Sequence, residues 1–160
     1  MQIHLPEIIA QKLAKALKRA GSKEIGGILM GEHISAEVYR IVDLTIQSQV
    51  GTTTSFLRLP LSVLRPLQTF FKKTSNQFTR FNYLGEWHSH PSYSVEPSST
   101  DCEAMWEIVS DPSVGANFAV LLVVKLNGAK QLESGVTVFL PNREMLSVDL
   151  IQTSSVTERR

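Results

Sequence analysis

Cysteine is nearly absent from this sequence: Cys102 is the single one among 160 residues. One cysteine cannot form an intramolecular disulfide, and it cannot supply the several thiolates that a zinc finger needs. A small fold held by disulfides is thereby excluded, and the reducing cytoplasm is the expected compartment. We interpret Cys102 as a packing residue.

Long hydrophobic runs are missing as well. The longest apolar stretch, Phe118–Val124, has the length of a strand. A helix that spans a membrane needs ~20 apolar residues. The N-terminus also lacks the basic, apolar and small-residue order of a signal peptide. These absences predict a soluble cytoplasmic protein with no membrane partner.

Neither sign of charge is in excess. The chain has 16 Lys and Arg against 15 Asp and Glu, which gives a net charge of +1. Without a strong positive field, no nucleic-acid partner is expected. Hydrophobic residues make up 42% and charged residues 19%, as in ordinary globular proteins. The length predicts one domain, which we place at residues 1–152, followed by a polar tail at 153–160.

Hydrophobic periodicity predicts helices alternating with strands. Helices are expected at 5–20, 60–73 and 101–109, and strands at 24–32, 38–46, 81–87, 118–126, 131–140 and 145–151. Residues 47–59 are predicted to form a loop or a frayed strand. The first helix is amphipathic, which suits packing on a sheet or, alternatively, a membrane surface. The expected class is mixed α/β, with helices packed on a largely antiparallel sheet.

Residues 85–101, GEWHSHPSYSVEPSSTD, carry the most chemical information. If the preceding strand continues through residue 90, His88 and His90 point to the same face. Two imidazoles at that spacing can bind one metal ion, and zinc accepts histidine nitrogen and carboxylate oxygen alike. Taken alone, the pair is a weak signal, because many such histidines are surface or core residues.

Asp101 is the natural third ligand. A catalytic zinc takes three protein ligands and keeps one position open for water. The proline-bounded loop after His90 can bring this carboxylate back to the histidines. As an alternative, Ser98 and Asp101 have the spacing of an N-terminal capping box. The two interpretations are compatible, because a helix N-terminus favours a carboxylate and a cap fixes its geometry.

Two other features are ambiguous. Glu86 shares the face of His88 by alternation, so it is either a rival ligand or a surface residue of the strand, and we favour the surface. Residues 52–58 could align a substrate tail as an added strand, but we favour an ordinary loop.

These motifs resemble the signature of the JAB/MPN metalloprotease family, His-x-His-Pro, six or seven residues, then Ser-x-x-Asp. Here His88-Ser89-His90-Pro91 is followed after six residues by Ser98-Ser99-Thr100-Asp101. The family also has a glutamate before a glycine-bearing strand, which matches Glu24 in EIGGILMG. The resemblance covers roughly residues 5–140, and every metal and catalytic position of the motif is filled.

The resemblance implies a role for each of these residues. His88, His90 and Asp101 would bind one Zn²⁺. Glu24 would be the general base that takes a proton from water, and Ser98 would hydrogen-bond the developing oxyanion. It also implies the JAB/MPN fold, a single domain with a curved, mostly antiparallel sheet and helices packed on it.

The implied activity is that of a zinc-dependent isopeptidase or peptidase. Its substrate would be the bond after the C-terminal tail of a ubiquitin-like protein. Compact prokaryotic members serve ubiquitin-like tagging systems, including antiviral ones, so activating or conjugating enzymes of the same pathway are expected partners. Two alternatives stay open: an inactive JAB/MPN scaffold that recruits partners, and a zinc amidohydrolase acting on a small substrate.

Overall fold

A computed structural model describes residues 1–47 and 60–154, with residues 60–63 described by their backbone alone. Eight strands and three helices occur in these ranges. In chain order they are β1 (Gln2–Pro6), α1 (Glu7–Ala20), β2 (Gly26–Ser35), β3 (Val38–Leu44), α2 (Pro60–Lys73), β4 (Phe81–Ser89), α3 (Ser99–Ser110), β5 (Ala119–Leu126), β6 (Leu132–Phe139), β7 (Met145–Ser147) and β8 (Asp149–Thr153). The predictions for residues 48–59 and for the tail beyond 154 lie outside the described residues.

All eight strands belong to one sheet with the order β7-β6-β5-β4-β2-β3-β1-β8. Strand β2 is antiparallel to β3 and β4, and β6 is antiparallel to β5 and β7. The other three pairings, β1 with β3, β1 with β8 and β4 with β5, are parallel. The mixed α/β class is confirmed, and antiparallel pairing predominates by one pair.

The sheet is curved enough for its two edges to meet. Strands β7 and β8 lie at opposite edges, yet only Val148 separates them in the chain. The Val148 N–H donates to the carbonyl of Val136 on β6 at 3.3 Å, which holds the crossing segment against the sheet. The chain therefore passes from one edge of the sheet to the other through a single residue, although the described residues of β7 and β8 do not pair with each other.

The first and last elements differ from the prediction. Residues Leu5 and Pro6 belong to β1 rather than to the first helix, and β1 itself was missed. The expected edge strand at 145–151 is two strands at opposite edges. Five-residue β1 owes its conformation to pairing with β3 and β8, and such distant partners leave no local signal in the sequence.

The helices pack on different faces of the sheet. On one face, α1 buries its apolar stripe in the main core together with Trp87 of β4 and Val120 of β5. On the other face, α3 packs on β5 and β6, and α2 packs on β2. Cys102 is buried among the α3 contacts, which confirms its packing role. Among the described helices, none is long and apolar enough to cross a membrane.

Candidate metal centre

Strand β4 presents both histidines at its carboxyl end. His88 pairs with Gly26 of β2 and with Val123 of β5, so it is held from both sides of the strand. The His90 N–H extends the ladder by one residue, donating to the carbonyl of Val124 at 2.9 Å. Both side chains are buried on the face that α3 covers. Strand β4 ends at Ser89, two residues beyond the predicted end at Trp87, and this one further hydrogen bond keeps His90 in line with it. The condition under which both histidines share a face is therefore met.

The N-terminus of α3 carries the third residue. Ser98 is the N-cap, and its hydroxyl accepts the Asp101 N–H at 3.2 Å. The Asp101 carboxylate in turn accepts the Ser98 N–H and hydroxyl, both at 2.7 Å on Oδ2. The capping box predicted from the spacing is thus present, and it fixes the carboxylate of a buried Asp101.

Three potential ligand atoms converge between these two elements. The Nε2 atoms of His88 and His90 are 2.9 Å apart, and Asp101 Oδ2 lies 3.5 Å from each. Four-coordinate zinc with ligands ~2.0–2.1 Å away holds neighbouring donor atoms roughly 3.3 Å apart. The triangle of two nitrogens and one oxygen therefore has the size of one face of a zinc tetrahedron. Two imidazoles and a carboxylate are also a donor set that suits zinc.

A hydrogen bond orients the His90 ring. Its Nδ1 lies 2.8 Å from the carbonyl oxygen of Ser94, and because a carbonyl only accepts, Nδ1 carries the proton. The neutral ring therefore keeps its lone pair on Nε2, where the other two donor atoms lie. The loop that supplies this carbonyl is itself tied to β5, since Lys125 Nζ donates to the carbonyl of Tyr93 at 3.0 Å. Such an outer contact to the backbone is typical of metal-binding histidines.

The electrostatics keep the Asp101 carboxylate charged. Burial by itself raises the pKa of Asp101, but the hydrogen bond and charge of His88, together with the Ser98 N–H and hydroxyl, outweigh burial and hold this pKa well below its usual range. An ionised carboxylate is the form that binds a cation, so the site needs no proton release from Asp101 at neutral pH.

Glu24 precedes β2 and does not belong to the group of three close ligand atoms. Two hydrogen bonds join Ile25 to Ser89 immediately before β2: the Ser89 N–H donates to the Ile25 carbonyl at 2.8 Å, and the Ile25 N–H to Ser89 Oγ at 2.9 Å. Continuing this antiparallel register by one residue sets Glu24 opposite His90, on the face of the histidine pair. Glu24 is exposed, whereas the three residues with mutually close ligand atoms are buried.

Ser89 is a positioning residue that the sequence analysis missed. Its side chain is fully buried, and its hydroxyl fastens the segment that carries Glu24 to the end of β4. Alternation gave a signal, because a serine between two same-face histidines must point to the opposite, core-facing side of the strand. A hydroxyl there needs a partner, and the Ile25 N–H provides one.

The prediction for Glu86 was wrong. We expected a surface side chain, but Glu86 is 5% exposed, and its Oε1 has no hydrogen-bond partner among the described residues. Burial raises the pKa of this carboxyl to about 8. The alternation itself was correct, since Glu86 shares the face of His88. That face is covered by helices, which a single strand pattern does not reveal. Glu86 is also outside the group of close ligand atoms.

Comparison with protein families shows the family to which this chain belongs. Residues 6–135 match the family described as prokaryotic homologs of the JAB domain. The chain belongs to the prokaryotic JAB family. The match contains Glu24 and the whole of the His-x-His-Pro and Ser-x-x-Asp motifs, so the resemblance inferred from these residues is confirmed at the level of the family.

One protein of similar sequence is a CD-NTase/cGAS isopeptidase of Enterobacter hormaechei subsp. hoffmannii (strain UCI 50). It is 33% identical over 120 residues, which cover 72% of this chain and 62% of the relative. The matched region is therefore less than two thirds of that protein.

Solved structures share the fold. A Desulfitobacterium hafniense protein, determined in solution, has a TM-score of 0.68 at 14% identity and covers 98% of this chain and 97% of its own. A Salinibacter ruber protein, also determined in solution, has a TM-score of 0.57 at 16% identity, with coverage of 97% and 93%. Both likenesses concern architecture alone.

Proposed function

We propose that this protein is a zinc-dependent isopeptidase that cleaves the bond after the C-terminal tail of a ubiquitin-like protein. The observation that carries the proposal is the convergence of His88 Nε2, His90 Nε2 and Asp101 Oδ2 in a prokaryotic JAB chain. Zinc, when bound by these three residues, supplies a Lewis acid that polarises the scissile carbonyl and lowers the pKa of water to about 7.

The chain's own residues then account for proton transfer and charge. A Glu24 carboxylate oxygen takes a proton from the attacking water and passes it to the leaving amine. Its exposed position beside His90 suits a group that must meet both water and substrate. The hydroxyl of Ser98, which is also an exposed residue, is the candidate donor to the developing oxyanion. Before substrate arrives, that hydroxyl donates to Asp101, so it must turn away from the carboxylate to act.

The relative's name supports a choice of first substrate. That relative is called a CD-NTase/cGAS isopeptidase, so we propose a conjugate between a ubiquitin-like tail and a CD-NTase/cGAS protein as the substrate to try. A lysine conjugate and a linear fusion of the same tail should be compared, because they separate isopeptidase from peptidase activity. Activating and conjugating enzymes of such a pathway would be its companions, and antiviral defence its setting.

The first experiment is the zinc content of natively purified protein. We expect about one zinc per chain in the wild type and little in His88→Ala, since a catalytic zinc needs all three ligands. His33→Ala is the matched control, because His33 is exposed and stacks on Tyr39 away from the centre, and it should keep the zinc. Equal zinc in wild type and His88→Ala, or none in either after zinc is added, would contradict the proposal.

A further inference from the structure

Two arginines converge on one buried carboxylate at the end of the sheet remote from the metal centre. Glu32 of β2 is 3% exposed and pairs directly with Arg40 of β3. On its other side it pairs with Phe81, the first residue of β4, which follows Arg80. Glu32 is six residues after Gly26, the partner of His88, and that distance along a strand is about 20 Å.

Each arginine donates two hydrogen bonds to a different oxygen of the Glu32 carboxylate. Arg80 donates from Nε and Nη2 to Oε1 of Glu32 at 2.9 and 2.6 Å. Arg40 donates from Nε and Nη2 to Oε2 at 3.0 and 2.5 Å. A guanidinium has five N–H donors, so each arginine keeps three that point away from the carboxylate. Among the described residues, neither guanidinium group makes a further hydrogen bond to protein.

The same two arginines carry more positive charge than Glu32 neutralises, and they line an open pocket. One carboxylate neutralises only one of the two guanidinium charges, and the Arg40 and Arg80 side chains are 41% and 58% exposed. An open pocket of about 520 Å³ lies over them, lined by Glu32, His33, Ile34, Arg40, Thr79 and Arg80. The residues around this volume therefore include two arginines, a histidine and a threonine, and both guanidinium groups are paired with the Glu32 carboxylate.

Two side chains of the pocket are held in place before any ligand binds. The Arg80 guanidinium lies over the Phe81 ring, 5.0 Å from its centroid, and the His33 ring stacks on Tyr39 at 4.9 Å. Ordering such side chains in advance reduces the entropy lost on binding. A guanidinium edge also matches an oxyanion in shape, because it can donate two parallel hydrogen bonds.

We propose that this arginine pocket, formed by Glu32, Arg40, Arg80, His33 and Thr79, binds an oxyanion, either a carboxylate or a phosphate. Glu32 acts as the positioning residue that holds both guanidinium groups at the pocket floor. The proposal is independent of the metal centre and of the proposed hydrolysis, since it uses none of their residues.

Side-chain NMR of the full chain tests the pocket directly. Inorganic phosphate and an acetylated tri-aspartate amide are titrated separately at constant ionic strength, while the arginine Nε–Hε signals are followed. We expect saturable shifts at Arg40 and Arg80. Arg143 is an internal control, because it also pairs with a carboxylate, that of Glu103, and lies over an aromatic ring, that of Trp106. Its signal should stay unchanged.

Variants then separate the pocket from general charge. Arg80→Gln should weaken anion binding by about tenfold or more, whereas Arg143→Gln removes the same charge and should leave it unchanged. Tighter binding of phosphate would identify a phosphorylated ligand, and tighter binding of the peptide an acidic protein segment; both support the pocket. Shifts that never saturate, or that occur equally at Arg143, overturn it. The wild-type titration decides by itself if Arg80→Gln does not fold.

Discussion

Individual hydrogen bonds determine which atoms of the candidate metal centre face one another. The Ser94 carbonyl holds the proton of His90 on Nδ1, and the Ser98 N–H and hydroxyl hold Asp101 Oδ2. The donor atoms of His90 and Asp101 are therefore oriented by the protein itself. The distances of 2.9 to 3.5 Å between donor atoms reflect this preorganisation.

Glu24→Gln tests the general base. The amide cannot accept a proton, so turnover should fall by about 10²–10⁴-fold while zinc content stays at the wild-type level. The measurement pairs zinc analysis with cleavage of the conjugate that the wild type cleaves. Glu107→Gln, at an exposed position of α3, is the control and should behave as wild type. Wild-type turnover in Glu24→Gln would show that another group is the base.

Ser98→Ala tests the proposed oxyanion donor. Loss of the hydroxyl removes its bonds with the Asp101 N–H and carboxylate, so we expect a stability loss of about 1 kcal/mol. Turnover should fall by about 10²–10³-fold, which is more than the loss of stability explains, and the zinc content should stay at the wild-type level. Ser98→Thr keeps a hydroxyl and should restore both properties. If Ser98→Ala lost stability and kept full turnover, Ser98 would be a cap alone.

At the scale of elements, strand β4 positions the two histidines, and Gly85 allows β4 to pair closely with β5. The parallel pairing of β4 with β5 begins at Gly85 and Val120 and leads directly to His88 and its partner Val123. A Cβ at Gly85 would collide with the Val120 carbonyl oxygen, and its φ of 153° is one that other residues rarely adopt. The close approach therefore requires glycine.

Gly85→Ala should destabilise the protein by about 2 kcal/mol or more, because the atoms it meets are backbone and cannot turn aside. Zinc content should fall with it, since the β4–β5 register sets His88. Denaturant unfolding and zinc analysis are the measurements. Gly128→Ala, where an added Cβ meets nothing within 4 Å, is the control. Unchanged zinc in Gly85→Ala would mean that β5 does not position the histidines.

Glu32 links three strands at the other end of the sheet, and its ionisation makes this link dependent on pH. Burial raises the pKa of Glu32, but hydrogen bonds and charges from Arg40 and Arg80 together lower it below its usual value of 4.5. A depressed pKa means that the stabilisation is fully present above pH 4.5 and is lost as the pH falls through the folded-state pKa.

Glu32→Gln should therefore lower the free energy of unfolding by about 1–3 kcal/mol at neutral pH. The difference from wild type should shrink at acidic pH below 4.5, where the wild-type carboxylate becomes protonated. Urea unfolding across this range measures it. Asp43→Asn is the control, because the Lys12–Asp43 pair is 41% and 46% exposed and should contribute little. A difference that stays constant with pH would contradict the ionic origin.

For the whole molecule, the two edges of the sheet are unequal in their contacts. Strand β8 pairs with β1 along five residues, and its Leu150 packs against the main core. Strand β7 is exposed throughout, with Leu146 48% exposed. Closure of the curved sheet thus depends on β8 more than on β7.

Leu150→Ser should lower stability by about 1–2 kcal/mol, because it removes apolar area from the core at the point of closure. Leu146→Ser makes the same chemical change on the exposed edge and should alter stability by less than about 0.5 kcal/mol. Thermal unfolding of both variants checks the contrast. Equal losses would show that both edges contribute alike to the closed sheet.

Much of the fold and site follows from local pattern. The apolar spacing in 60–73 predicted α2 with its observed bounds, and Ser98 and Asp101 have the spacing that a capping box requires. Alternation set His88 and His90 on one face. These features depend on neighbouring residues in the chain, where period and capping act directly.

Tertiary structure decided the rest, because it depends on residues distant in sequence. Strand β1 exists through its pairing with β3 and β8, and burial of Glu86 follows from the helices that cover its face. The sequence by itself determined which residues could bind a metal. Only folding brings Asp101 Oδ2 within 3.5 Å of both imidazoles, since β4 and α3 meet through packing on β5. The arginines converge on Glu32 for the same reason, because the strand register brings Arg40 and Arg80 to either side of it.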